Sequence, residues 1–299
     1  VGTQVNAFAD KAGFVVLYPE QSASDNVRRC WNWFDRRHQF RGSGEPAAIA
    51  RITERVLRQT GRVRLDRNRV HVMGISAGGA MAGIMAATYP DLYASAGIHS
   101  APQYRAAWSL VTAVLAMRNG GPDPRRQGRL AHNAMGPRAR VVPVIVVQGG
   151  SDRTVRARNG DRVVRQWLTT SRLAGGRRTE LDFARPHVSS AGLAPGGLSY
   201  SVRSWNDAAG RPVVQYWKVP DLGHAWSGGS SEGSYTDPRG PSATAAMCSF
   251  FDQCPMDPDH SRRTMQAEVA GSTIRGPRAS WAWRPGSVPK TISPAAGSS

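Results

Sequence analysis

Apolar positions along this chain follow two rhythms. Short unbroken runs alternate with longer stretches in which apolar residues recur every three or four positions. The runs are Gly13–Pro19 (GFVVLYP), Val70–Met73 and Val141–Val147, and Tyr93–His99 is a further candidate strand. Runs of this length, bounded by proline, glycine or polar residues, predict parallel strands buried on both faces. Ile49, Ile52, Val56 and Leu57 recur at helical spacing, with Ser43 as N-cap and Pro46 in the first turn. Gly79–Thr88, Asn159–Leu168 and Thr244–Phe251 also suit helices, and Tyr200–Trp205 and Val213–Val219 flank Asn206–Gly210 as a β-hairpin. Strands alternating with helices predict an α/β fold, a mostly parallel sheet with helices on both faces. Three stretches carry no clear period: the loop Glu20–Gly44, Asn119–Arg140, which reads as a mobile loop or insertion, and Ser171–Gly197. From Pro255 onward Pro, Ser, Gly and Arg dominate without period. The expected organisation is one α/β domain over 1–254 and a disordered tail over 255–299.

Between the run Val70–Met73 and the small-residue helix stands Gly74-Ile75-Ser76-Ala77-Gly78. A G-x-S-x-G between strand and helix is the nucleophile elbow of the α/β-hydrolase fold. The turn is tight and strained, so side chains beside the serine would clash with strand and helix. It lifts the Ser76 hydroxyl above the sheet and aims the Ala77 N–H where an oxyanion would form.

A serine hydroxyl is a weak nucleophile at neutral pH and needs a base, which in turn needs an orienting acid. In this fold the chain order is Ser, acid, His. Asp152 follows the apolar run ending at Val147, just past a strand's C-terminal end, where such sheets place their chemistry. Seven histidines compete for the base: His38, His71, His99, His132, His187, His224 and His260. His224 combines the right order with a turn just past the strand Val213–Val219. His71 lies in the strand before the elbow and reads as structural. Asp221 is the runner-up acid, but it sits too close in sequence to His224.

Composition changes this picture little. The chain has 299 residues, 40% of them hydrophobic, enough for one substantial core. No apolar run is long enough to span a membrane. The net charge of +18 invites a nucleic-acid partner. However, all basic residues except Lys11, Lys218 and Lys290 are arginines, and they are scattered rather than striped. No nucleic-acid-binding signature accompanies them, so nucleic acid is not the expected partner. Weak adhesion to anionic surfaces is the residual expectation. Cys30, Cys248 and Cys254 have no zinc or redox spacing. Cys248 is expected as a buried free thiol on an apolar helix face.

These residues resemble the polyhydroxybutyrate-depolymerase-like esterases, a family that also includes feruloyl- and acetylxylan-type esterases. The matching pieces are Gly13–Gln21 (GFVVLYPEQ), Arg29–Phe34 (RCWNWF), Gly74–Met81 (GISAGGAM), Asp152 with Asn159–Asp161, Gly223–Gly229 (GHAWSGG) and Tyr235–Pro241 (YTDPRGP). The resemblance implies an esterase with a Ser76–Asp152–His224 triad, no metal or organic cofactor, a small ester or oligoester substrate and an extracellular location. Trp31, Trp33 and Trp226 either present flat apolar surface to an acyl group or pack the loops beneath the site. Members of the family also carry, upstream of such a piece, a strand leading into a His-Gly-Cys-type loop that supplies a second oxyanion donor. This chain contains no His-Gly dipeptide and opens at Val1. The resemblance therefore implies an N-terminally truncated esterase. A central strand would be missing between Gly13–Pro19 and Val70–Met73, Ala77 N–H would be the one remaining donor, and Cys30 would have lost a disulfide partner. Two alternatives stand beside the esterase: a serine peptidase of the prolyl-oligopeptidase type, and an inactive remnant or binding protein.

Overall fold

The computed structural model describes residues 2–58, 64–176 and 181–257. Nearly all of the expected tail lies outside the described residues. Six strands form the main sheet: β1 (His71–Ile75), β2 (Ser95–His99), β3 (Val144–Gly149), β4 (Val188–Leu193), β5 (Ser199–Asn206) and β6 (Pro212–Val219). Their order is β1-β2-β3-β6-β5-β4. The β1–β2, β2–β3 and β3–β6 pairs are parallel, and β5 and β4 continue from β6 as antiparallel neighbours. A parallel neighbour requires a crossover, and here helices supply it. The helices are α1 (Val5–Ala12), α2 (Gly44–Arg58), α3 (Ala77–Thr88), α4 (Leu110–Asn119), α5 (Pro124–Met135), α6 (Arg158–Gly175) and α7 (Ala243–Asp252). A short parallel pair, β7 (Trp226–Ser227) with β8 (Thr236–Asp237), lies between β6 and α7.

The unbroken apolar run of β3 is explained by what covers it. Val144 and Val146, with Ile98 and Val214, pack beneath α3, α5 and α6 through Ile84, Met135 and Trp167. Ile145 and Val147 face the other way, onto Met247 and Phe250 of α7 and onto Trp226. Both faces of the strand are dry, so no polar alternation survives. This is the α/β-hydrolase arrangement expected, including the β5–β6 hairpin.

Several expectations are corrected. Gly13–Pro19 is not a strand but an irregular segment following α1, with Val15 and Tyr18 each 56% exposed. A run of apolar residues forms a strand only where another strand's edge accepts its ladder, and β1, the outermost strand, does not pair with it. The sheet order β1-β2-β3-β6-β5-β4 is continuous, and no strand lies beyond β1 among the described residues. Asn119–Arg140 is not an insertion loop. Asp123 accepts from the Arg125 and Arg126 amides and Pro124 opens α5, which packs on α6 where Gly128 meets Thr169. The irregular stretch Ser171–Gly197 contains the end of α6 and the exposed edge strand β4. Ser43 does not cap α2: its hydroxyl donates to Arg37 O, and His38 Nδ1 accepts from the Glu45 amide instead. The helix α4 is inverted, with Ala113 and Ala116 buried while Leu110 is 64% and Val111 71% exposed.

Two imidazoles, His99 buried and His71 half-buried, make stability pH-dependent. His71 stacks on Phe251 and bonds Ser95 Oγ, and burial, with Arg69 and Arg140 nearby, pushes it from 6.5 down to about 4. Burial, with His224 nearby, pushes His99 down to about 3. Both rings stay neutral in the fold but take up protons in the unfolded chain below 6.5. Their contribution is therefore complete above that pH and is lost as pH falls. A Tm lower at pH 5 than at pH 7 by on the order of 5 °C is expected from calorimetry. A Tm that is flat or rises on acidification contradicts this.

Candidate active site

The elbow is built as the motif predicts. Ser76 joins β1 to α3 with φ 56° and ψ −122°, a conformation outside the regions L-residues favour. Its amide donates to His99 O at 2.9 Å, and its carbonyl accepts from Ala80 N at 3.0 Å. Gly74 is required sterically, since a Cβ there would lie 2.4 Å from the Gly78 carbonyl carbon. Gly79 is equally constrained, at 2.8 Å from Ala101 Cβ, whereas a Cβ on Gly78 would meet nothing within 4 Å. The clash argument thus holds for Gly74 and Gly79 and not for Gly78. Ser76 and Ala77 are half-buried, and the Ser76 hydroxyl makes no capping bond. The Ala77 N–H opens the first turn of α3, where amides have no acceptor within the helix and the helix dipole is positive.

Asp152 and His224 meet because the ends of β3 and β6 are pressed together. Gly149 pairs with Val219, Gly150 N donates to Val219 O at 2.8 Å and Ser151 N donates to Leu222 O at 3.1 Å. Any Cβ on Gly149 would lie 2.4 Å from Leu222 O, and one on Gly150 would lie 2.4 Å from Pro220 O. Only glycine permits backbones this close. Asp152 Oδ1 accepts from the Thr154 and Val155 amides at 2.9 and 2.8 Å, which turns Oδ2 toward His224. Oδ2 then accepts from His224 Nδ1 at 2.7 Å. The carboxylate is fully enclosed, and 14% of the imidazole side chain reaches solvent. No hydrogen bond joins Ser76 Oγ to His224 in this structure. Asp221, the alternative acid, is exposed. A cavity of ≈ 450 Å³ opens beside the Asp152 turn, lined in part by Arg153, Arg156, Arg158 and Asp161; neither Ser76 nor His224 lines it.

Two of the three tryptophans are buried. Trp33 is 6% and Trp226 2% exposed. Trp226 stacks on His99 and donates its Nε1–H to Thr244 Oγ1. Trp31 is half-buried against the core. Between Trp31 and Trp33, the Asn32 amide donates to the buried Glu45 carboxylate, which fastens this loop to α2. Cys30 is exposed, Cys248 half-buried and Cys254 buried, all as free thiols. His99 was not distinguished from the other histidines by its sequence context, yet its backbone touches the elbow and its ring touches the segment after His224.

A family model described as esterase PHB depolymerase matches residues 1–180. The chain is 30% identical over 224 residues to poly(3-hydroxyalkanoate) depolymerase C of Paucimonas lemoignei, covering 73% of this chain and 49% of that protein. It is 33% identical over 99 residues to feruloyl esterase B of Neurospora crassa, covering 33% of this chain and 32% of the relative. The chain thus spans about half the length, or less, of these two relatives. Among solved structures, an acetyl xylan esterase from Aspergillus awamori superposes with a TM-score of 0.64 at 21% identity, over 84% of this chain and 82% of that one.

Proposed function

From the premise that the chain belongs to the esterase PHB depolymerase family, a family of carboxylic ester hydrolases, we propose that it is a serine esterase whose nucleophile, base and acid are Ser76, His224 and Asp152. The observation that carries this reading is the 2.7 Å Asp152–His224 hydrogen bond at the C-terminal ends of β3 and β6. It stands on the same sheet edge as the strained serine at the end of β1. His224, with its proton on Nδ1, accepts the Ser76 proton at Nε2 as Ser76 Oγ attacks the ester carbonyl. Asp152 holds that tautomer and stabilises the imidazolium. The Ala77 N–H supports the oxyanion. The alcohol leaves with the proton from His224, and water then clears the acyl-enzyme by the same steps. The Ser76–His224 bond forms as substrate binds, a tightening common at such sites.

Short hydroxyalkanoate esters are the substrates put first, because the poly(3-hydroxyalkanoate) depolymerase matches across more of this chain than the feruloyl esterase does. The reading includes an extracellular location, which rests on the family resemblance. One observation favours a second reading, a folded chain without turnover: the absence of a Ser76–His224 hydrogen bond. Hydrolysis of p-nitrophenyl butyrate, measured beside the matching butyryl p-nitroanilide, tests the proposal. Ester turnover without anilide turnover is expected. A folded chain that leaves the ester intact supports the second reading, and one that prefers the anilide supports a peptidase.

A further inference from the structure

We propose that His99 is a positioning residue for this site, holding the nucleophile elbow with its carbonyl and the base-bearing loop with its ring. The proposal rests on the reading of Ser76 and His224 as nucleophile and base. His99 is the last residue of β2. Its carbonyl oxygen accepts the Ser76 amide at 2.9 Å, and the close approach of α3 at Gly79 leaves only 2.9 Å between that oxygen and a would-be Cβ. The strained backbone of the nucleophile is therefore anchored on β2.

The ring reaches the other half of the site. Nε2 lies 3.1 Å from the Ser227 amide nitrogen. An amide can only donate, so Nε2 is the unprotonated nitrogen and the ring's single proton sits on Nδ1. Nδ1–H then donates to Ser100 Oγ at 3.0 Å. The ring also stacks on Trp226, with centroids 5.1 Å apart and planes at 25°. Trp226 and Ser227 follow His224 by two and three residues. The loop bearing the base is thus tied at its start, where Leu222 O accepts from Ser151, and at its end, where Ser227 donates to His99. Further bonds carry the end of the loop onto β8 and Pro241: Trp226 N to Tyr235 O, Gly228 N to Asp237 O and Ser227 Oγ to Pro241 O.

The His99 ring is wholly buried and touches no substrate, so it acts through the groups it holds. Its removal leaves the buried Ser227 amide unpaired and takes away one of the ties that fix the end of the loop bearing His224. A displacement of the base by about 1 Å costs on the order of 10²-fold in rate. An apolar ring at this position would keep the packing against Trp226 and lose only the acceptor. A glutamine would restore an acceptor at nearly the reach of Nε2.

The test compares His99→Phe, His99→Gln and Ser76→Ala with the parent, measuring kcat and KM on p-nitrophenyl butyrate and Tm by circular dichroism. His99→Phe is expected to lower kcat by about 30- to 100-fold with KM within about twofold, and His99→Gln to recover kcat to within about fivefold of the parent. A folded His99→Phe with parental kcat overturns the proposal. So does a His99→Gln no better than His99→Phe, because the ring then serves as packing alone. If His99→Phe does not fold, His99→Asn, too short to reach Ser227, takes its place, and equal kcat in the Asn and Gln variants overturns the proposal. A Ser76→Ala variant with parental turnover, or a folded parent with none, overturns the reading of the site, and the positioning role falls with it. Loss confined to the His99 comparison overturns the positioning role alone.

Discussion

Replacing Ser76 by alanine is expected to remove ester hydrolysis, by on the order of 10⁶-fold in kcat, without unfolding the chain. The size of the effect follows from the role: no other hydroxyl occupies the elbow, and the base has nothing else to activate there. The fold should be indifferent to the change. The Ser76 side chain makes no capping bond, and the bonds that hold the turn run from its backbone to His99 O and from Ala80 N. Alanine meets the φ of 56° with the same Cβ that serine carries. Unchanged circular dichroism and Tm beside lost turnover is the expected pair of measurements. Turnover that survives in Ser76→Ala would remove the nucleophile from the account.

Asp152→Asn is expected to lower kcat by about 10⁴-fold with KM little altered. The structure dictates the orientation of the new amide. Oδ1 is held by the Thr154 and Val155 amides at 2.9 and 2.8 Å, and only an oxygen can accept there. The asparagine must therefore present its NH₂ to His224 Nδ1. That nitrogen then becomes an acceptor, the imidazole proton moves to Nε2, and the face turned toward Ser76 can no longer take a proton. Packing is unaffected, since the side chains are isosteric and the Asp152 turn keeps both amide bonds. A loss below about tenfold on steady-state kinetics would show that His224 does not depend on Asp152 for its tautomer.

Much of this candidate site was legible in the sequence because its parts are local. The elbow needs glycine at Gly74 and a serine at a strand–helix junction, and both can be read within one short segment. Asp152 and His224 could be read because each follows an apolar run, and the positions just beyond strand ends are where this fold places side chains. What the sequence did not show depends on partners far along the chain. The Gly13–Pro19 run has strand-like composition, but only a neighbouring edge converts such a run into a strand, and no described strand pairs with it. The helix α4 has no apolar inward period to read, because it turns Leu110 and Val111 outward and Ala113 and Ala116 inward, the reverse of the usual burial pattern. The helix α5 had a readable signal, Asp123 before Pro124, which the surrounding Gly, Pro and Arg content obscured. Trp33 and Trp226 read equally well as platforms or as packing, and only burial separates the two. The ring of His99 acts on an amide 128 residues away, and no local pattern announces such a contact.

The central claim is that Ser76 is an activated nucleophile. Its most direct test is intact-mass and peptide-mapping analysis of the folded chain after exposure to a fluorophosphonate, which reacts with a serine only when a base accepts its proton. The account predicts one adduct per chain, carried on Ser76 and absent from Ser76→Ala. A folded chain that stays unlabelled, or that carries the adduct on another residue, contradicts it.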